Sequence, residues 1–209
     1  MVVRARQVIG RSPWRVVYKF PSIKLGRTVY CESGIELDYA FLLDADHGRV
    51  LSFQEQPGKI RYHLDGKLHT YTPDFFVTRP DKKQIVEVKP EAKVFTEENQ
   101  ILFGIIASIC REAGCEFVVI TDTKIRVQPR LNNIKLLWKY GRTPIYPRHQ
   151  IYCHEFFVRE REPVLGELFD FFAYRKEERS VVFALLYCGV IGIDINEPIS
   201  PDVPVCLPV

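Results

Sequence analysis

The chain has 209 residues, 46% hydrophobic and 26% charged, an ordinary globular profile that allows one large or two small domains. No apolar run approaches the length of a membrane span, and the arginine-studded N-terminus lacks the apolar segment of a secretory signal. Six scattered cysteines (Cys31, Cys110, Cys115, Cys153, Cys188 and Cys206) form no Cys-x-x-Cys pair, which argues against a zinc site and fits a reduced, intracellular compartment.

The net charge of +3 is unevenly spread. Arg4, Arg6, Arg11, Arg15, Lys19, Lys24 and Arg27 all precede the first acidic residue, Glu32, leaving 22 basic against 26 acidic side chains in the remainder. A basic arm over residues 1–29, dotted with Trp14, Tyr18 and Phe20, suits contact with a phosphate backbone. A solvated leader is the alternative.

Ser33-Gly34-Ile35-Glu36 opens a helical run to Ala45, closed near His47-Gly48. Ser33 with Glu36 is a capping-box pattern, so Glu36 either caps its own helix or projects from the first turn as a functional carboxylate. Val50 to Phe53 reads as a strand, and Lys59 to Leu64 as another. Asp65-Gly66 then makes a tight hairpin turn into Leu68–Tyr71.

The most informative stretch follows, from Tyr71 to Lys89. Phe75 to Val77 and Ile85 to Val88 are aromatic and β-branched, joined by turn-forming residues 78–83. A turn at Arg79 to Lys82 pairs Thr78 with Lys83 and carries Asp74 opposite Glu87. Directly opposed Cβ atoms lie about 4.5–5.5 Å apart, where two carboxylates repel unless a cation sits between them. Side chains alternate along a strand, so Lys89 stands on the same face as Glu87. Two acids holding one or two Mg²⁺ ions beside an ammonium suit phosphodiester hydrolysis. The plainer alternative is a strand-entry aspartate and a solvated Glu-x-Lys pair.

Pro90 ends that strand. Thr96 caps a helix whose Ile101, Leu102, Ile105, Ile106 and Ile109 give a wide apolar face, stopped at Ala113-Gly114. Glu116 to Thr121 reads as a buried strand, parallel to an earlier one because a helix intervenes. The result is a three-layer α/β core over residues 30–128.

Residues 129–209 are mainly helical: Leu131–Tyr140, Gln150–Arg159, a stripe from Leu165 to Phe172 and Val182–Cys188. Ile191, Ile193 and Ile195 then alternate as a strand. This order suggests a winged-helix-like module, which docks a protein partner or contacts DNA through Arg175, Lys176 and Arg179.

Taken together, Ser33-Gly-Ile-Glu36, Gln56-Pro57, Asp65-Gly-Lys, Tyr71-Thr-Pro-Asp74-Phe and Val86-Glu87-Val-Lys89-Pro90 resemble the TnsA family. This family comprises the restriction-enzyme-like subunits of heteromeric cut-and-paste transposases, within the PD-(D/E)xK nucleases. The resemblance implies a restriction-endonuclease-like mixed sheet flanked by helices and a Mg²⁺-dependent endonuclease, with Mn²⁺ as a substitute. Such an enzyme cuts the 5′ strands of double-stranded DNA at transposon ends in the bacterial cytoplasm. By motif position, Glu36, Asp74 and Glu87 become metal ligands and Lys89 the catalytic lysine. The implied partners are a TnsB-like DDE transposase and a TnsC-like AAA+ ATPase, the latter met through the C-terminal domain. A free-standing restriction or repair nuclease, or a non-catalytic DNA-binding scaffold that recruits an ATPase, are the competing functions.

Overall fold

The computed structural model describes residues 16–208, so Arg4, Arg6, Arg11 and Arg15 of the basic arm lie outside the described residues. The chain divides between Arg126 and Val127 into two compact units.

The start of the first unit differs from the sequence expectation. Residues 18–29, assigned from their charge to a basic arm, form most of an antiparallel hairpin of β1 (Tyr18–Pro21) and β2 (Thr28–Cys31). Phe20, Val29 and Cys31 are buried, a period-2 pattern hidden among the cations. Asp44 holds the intervening turn, accepting from the Ser22 hydroxyl and from the amides of Ile23 and Lys24. Two of the basic residues are engaged in the fold itself. Lys24 Nζ donates to the carbonyls of Asp46 and Val50 at 2.8 and 2.6 Å. Arg27 forks onto both oxygens of the buried Glu55 at 3.0 and 2.8 Å. Lys19 remains exposed on β1.

Helix α1 (Gly34–Ala45) starts at Ser33, whose hydroxyl accepts from the Glu36 amide at 3.1 Å. Next come β3 (Ser52–Glu55), β4 (Ile60–Leu64), β5 (Lys67–Tyr71), β6 (Phe75–Thr78) and β7 (Lys83–Lys89). The β4–β5 turn has φ of 50° at Asp65 and 71° at Gly66, two left-handed positions in succession, as an Asp-Gly hairpin turn requires. After β7 come α2 (Glu91–Val94), α3 (Glu97–Glu112), β8 (Glu116–Thr121) and α4 (Asp122–Ile125).

The main sheet has the order β3-β6-β7-β8. Its first three strands are antiparallel, and β8 joins β7 in parallel through the α3 crossover. Side-chain alternation assigns the faces. Phe75 and Val86 pair on one face, where the Tyr39 ring of α1 meets Phe75 at 5.5 Å. Ile85 and Phe117 pair on the other, against Phe103 and Ile106 of α3. Helices thus cover both faces, and β7 is the enclosed strand, with Val86 and Val88 buried. Asp74, Glu87 and Lys89 fall on the α3 face.

The second unit contains α5 (Arg130–Trp138), α6 (Pro147–Arg159), α7 (Leu165–Tyr174) and α8 (Arg179–Tyr187). Leu165, Leu168, Phe169 and Phe172 form the buried stripe of α7, and Phe169 meets Phe183 of α8 at 5.4 Å. The expected strand over Ile191–Ile195 does not form. Two isolated bridges, Val164 with Pro204 and Gly192 with Cys206, stand in its place, so among the described residues there is no regular wing. The reason is local. The Asp194 side chain accepts from the Asn196 amide at 2.9 Å and turns the chain. Pro198, Pro201 and Pro204 then remove the donors that a ladder needs. Gly192 suits its bridge, because a Cβ there would come within 2.8 Å of the Cys206 sulfur and force that side chain to move.

Glu55 is 1% exposed and takes a counter-charge from Arg27. Arg27→Ala should lower stability by about 2 kcal/mol, measured by urea unfolding. Adding Glu55→Gln should restore part of that loss, since a buried amide costs less than an unpaired carboxylate.

Candidate active site

Register builds the site. The last β6–β7 pair is Phe75 with Val86, which leaves Asp74 at the next position, level with Glu87. The last β3–β6 pair is Glu55 with Phe75, so Gln56 continues the same row, and its amide donates to the Asp74 carbonyl at 2.8 Å. One row across the sheet therefore reads Gln56, Asp74, Glu87.

Asp74 Oδ2 accepts from the Val88 amide at 2.7 Å. Glu87, only 7% exposed, has Oε1 2.9 Å from Lys89 Nζ, and its Oε2 accepts from the Tyr71 hydroxyl. Lys89 is steadied from α3: Nζ lies 3.5 Å from Asn99 Oδ1 and 5.2 Å from the Phe103 ring centroid. Asn99 also donates to the Lys93 carbonyl at 2.6 Å, which braces the chain entering α3.

Glu36 stands in the first turn of α1, with Oε2 accepting from the Glu32 amide at 2.8 Å. It thus reaches one residue beyond the Ser33 amide that a regular capping box would use. Its charge is nonetheless felt at Asp74. Burial first, and then the charges of Glu87 and Glu36, push the Asp74 carboxyl up to about 8, against the opposing pull of the Val88 amide and Lys89. Burial also raises Glu36, against the hydrogen bonds from Glu32 and Ser33, and Glu87 adds to the rise.

The structure thus brings Asp74, Glu87 and Lys89 together and leaves Glu36 within electrostatic range, its carboxylate turned onto its own chain. Among the described residues no three acidic, histidine or cysteine side chains converge on one point. The donor chemistry still fits a hard divalent cation. The residues offer carboxylate oxygens, and Asp74, raised by burial and then by the charges of Glu87 and Glu36, has a cost that a bound cation would offset.

Three neighbours of the site were assigned no role from the sequence. Tyr71 and Asn99 reach it from β5 and α3, through contacts that no local pattern announces. Gln56 is buried with φ of 44°, a left-handed backbone rare for a side-chain-bearing residue. Gln56 and Tyr71 both fall within the motifs that carry the family resemblance.

Arg175 pairs with Glu155 at 2.5 Å and lies 3.7 Å over the Phe171 ring, so its charge and plane are both engaged. Arg179 sits 5.0 Å over Phe169. Lys176 is exposed.

A mixed sheet between helices, with acids at the end of its central hairpin and a lysine two residues on, fits the restriction-endonuclease-like class of nuclease folds. Residues 47–122 match the family model described as TnsA-like endonuclease N terminal. The match supports a TnsA-like endonuclease assignment for that stretch, and with it a nuclease related to TnsA. The match takes in Asp74, Glu87 and Lys89, and excludes Glu36 and the helical unit from Val127 onward. No curated protein matches the chain. Among the described residues no helix is long and apolar enough to cross a membrane.

The raised Asp74 pKa has a consequence for stability. The folded protein holds that proton more tightly than the unfolded chain, whose aspartates titrate near ~3.9. Stability from this group is therefore present below about pH 4 and is lost as pH rises through about 8. In EDTA, the melting temperature of the wild type should fall over that window more steeply than that of Asp74→Asn. Calorimetry from pH 5 to 9 (on the order of one melt per half unit) measures the difference, and parallel curves would contradict it.

Proposed function

We propose that this protein is a metal-dependent DNA endonuclease that cuts the 5′ strands at transposon ends, within a heteromeric transposase. The observation that carries the catalytic part is the Asp74–Glu87 row with Lys89 Nζ 2.9 Å from the Glu87 carboxylate. The transposon context rests on the TnsA-like domain.

Asp74 and Glu87 would hold Mg²⁺ or Mn²⁺, with Glu36 as the third carboxylate of the set. A bound divalent cation supplies Lewis-acid polarisation of the scissile phosphate and a lower pKa for the attacking water. Lys89 directs its ammonium hydrogens at the attacking water or a phosphate oxygen, offsetting the negative charge that grows in the transition state. Asn99 and Phe103 hold that ammonium near the row while it is free of substrate. Water attacks phosphorus directly, and no side chain here calls for a covalent enzyme intermediate.

The C-terminal unit is read as a winged-helix-like module with a reduced wing, serving to dock a partner. Its engaged arginines favour protein docking over DNA reading. The partners that follow from the family are a DDE transposase, which processes the other strand, and an AAA+ ATPase regulator. Exposed Lys19 and the arginines of residues 1–15 are the proposed backbone contacts on double-stranded DNA.

A non-catalytic scaffold is the second reading. It draws on the carboxylates of Asp74, Glu87 and Glu36 each being bonded within the protein. Strand-specific nicking of transposon-end DNA, with and without partner proteins, separates the two. Wild type should nick the 5′ strand in Mg²⁺ and be silent in EDTA. Asp74→Ala and Lys89→Ala should lose at least about 10²-fold in rate with unchanged circular dichroism. Wild-type rates in both variants would remove the mechanism, and efficient nicking by the protein alone would favour a free-standing nuclease.

A further inference from the structure

Glu87 is an acid on the most enclosed strand of the sheet, and its two oxygens are held by partners of opposite character. Oε1 faces Lys89, a flexible side chain still 22% exposed. Oε2 accepts from Tyr71, which is 9% exposed and packs among Ile106, Cys110, Ile85 and Phe117. The Tyr71 ring meets the edge of Phe117 at 6.4 Å, and its position is set by only two torsions. The apolar cluster itself has no use for a hydroxyl, since phenylalanine would fill nearly the same volume. A phenol directed from that cluster onto a buried carboxylate is thus the rigid half of the arrangement, and the lysine is the half that can yield.

We propose that the Tyr71 hydroxyl is a positioning group for the candidate cation site: it pins Oε2 of Glu87, leaving Oε1 as the oxygen available beside Asp74. The inference rests on the nuclease reading above and adds to it a residue from β5, outside the acidic pair and the lysine. Asp74 follows Tyr71 by three residues, so the turn from β5 into β6 delivers one acid of the row together with the group that orients the other.

The test is Mn²⁺ titration of the full-length chain by calorimetry, well below the melting temperatures of all variants. Tyr71→Phe keeps the ring and removes only the donor. Its Mn²⁺ affinity should fall about tenfold, equivalent to about 1.4 kcal/mol. The Mg²⁺ concentration for half-maximal cleavage should rise by a similar factor, with the saturated rate retained. In a Glu87→Gln background the same change should move Mn²⁺ affinity no further. In unsubstituted protein labelled with 3-fluorotyrosine, the Tyr71 fluorine resonance should shift on adding Mg²⁺, a readout independent of how the variant folds. Equal Mn²⁺ affinity for wild type and Tyr71→Phe overturns the proposal whatever the melting temperature does, and so does an unmoved resonance. A wild type that binds no Mn²⁺ removes the nuclease reading along with it.

Discussion

Two carboxylates sit in one row of a sheet whose faces are both covered, and much of the first unit can be understood from that constraint. Backbone hydrogen bonds fix the separation of adjacent strands, so the β6–β7 register holds Asp74 and Glu87 as neighbours. Glu87 is buried there and Asp74 partly so, which weakens screening by water. Burial and crowding together have three consequences. Asp74 retains its proton to unusually high pH, Glu87 takes one donor from Tyr71, and Lys89 stays close to the remaining oxygen. An acid pair without purpose would be expensive to keep on a central strand. As a seat for a divalent cation, the same repulsion becomes affinity.

The elements that close the sheet also place the lysine. A parallel β7–β8 pair demands a crossover, and α3 supplies it. The first turns of that helix bring Asn99 and Phe103 to the ammonium of Lys89, so one connection serves both topology and chemistry. The β4–β5 hairpin does similar double duty. Its last residue, Tyr71, completes the apolar cluster against α3 and reaches Glu87 with the only polar atom of its side chain.

Local chemistry made the central hairpin readable. Turn-forming residues between two aromatic and β-branched runs give the register directly, and the pairing of Thr78 with Lys83 follows from the turn position. The parallel β8 was readable for a similar reason, because a long amphipathic segment intervenes. What stayed hidden depends on contacts distant in sequence. Cations masked the alternation of Phe20 and Val29 with less buried neighbours, so a hairpin looked like an arm. Alternating isoleucines at 191–195 suggested a strand, but an Asp194 side-chain turn and three prolines outweighed that short pattern. Tyr71 bonds a residue sixteen positions away, on a strand that is not its own pairing partner. At Glu36 the pattern gave a cap or a ligand. The carboxylate in fact bonds the Glu32 amide while its charge acts on Asp74, which keeps features of both.

The most direct measurement is a crystal of the full-length chain soaked in Mn²⁺, with data collected for anomalous scattering. The account requires an anomalous peak about 2.1 Å from carboxylate oxygens of both Asp74 and Glu87, on the α3 face of the sheet. Saturating Mn²⁺ with no density between those two side chains, or with density only elsewhere on the protein, would contradict it.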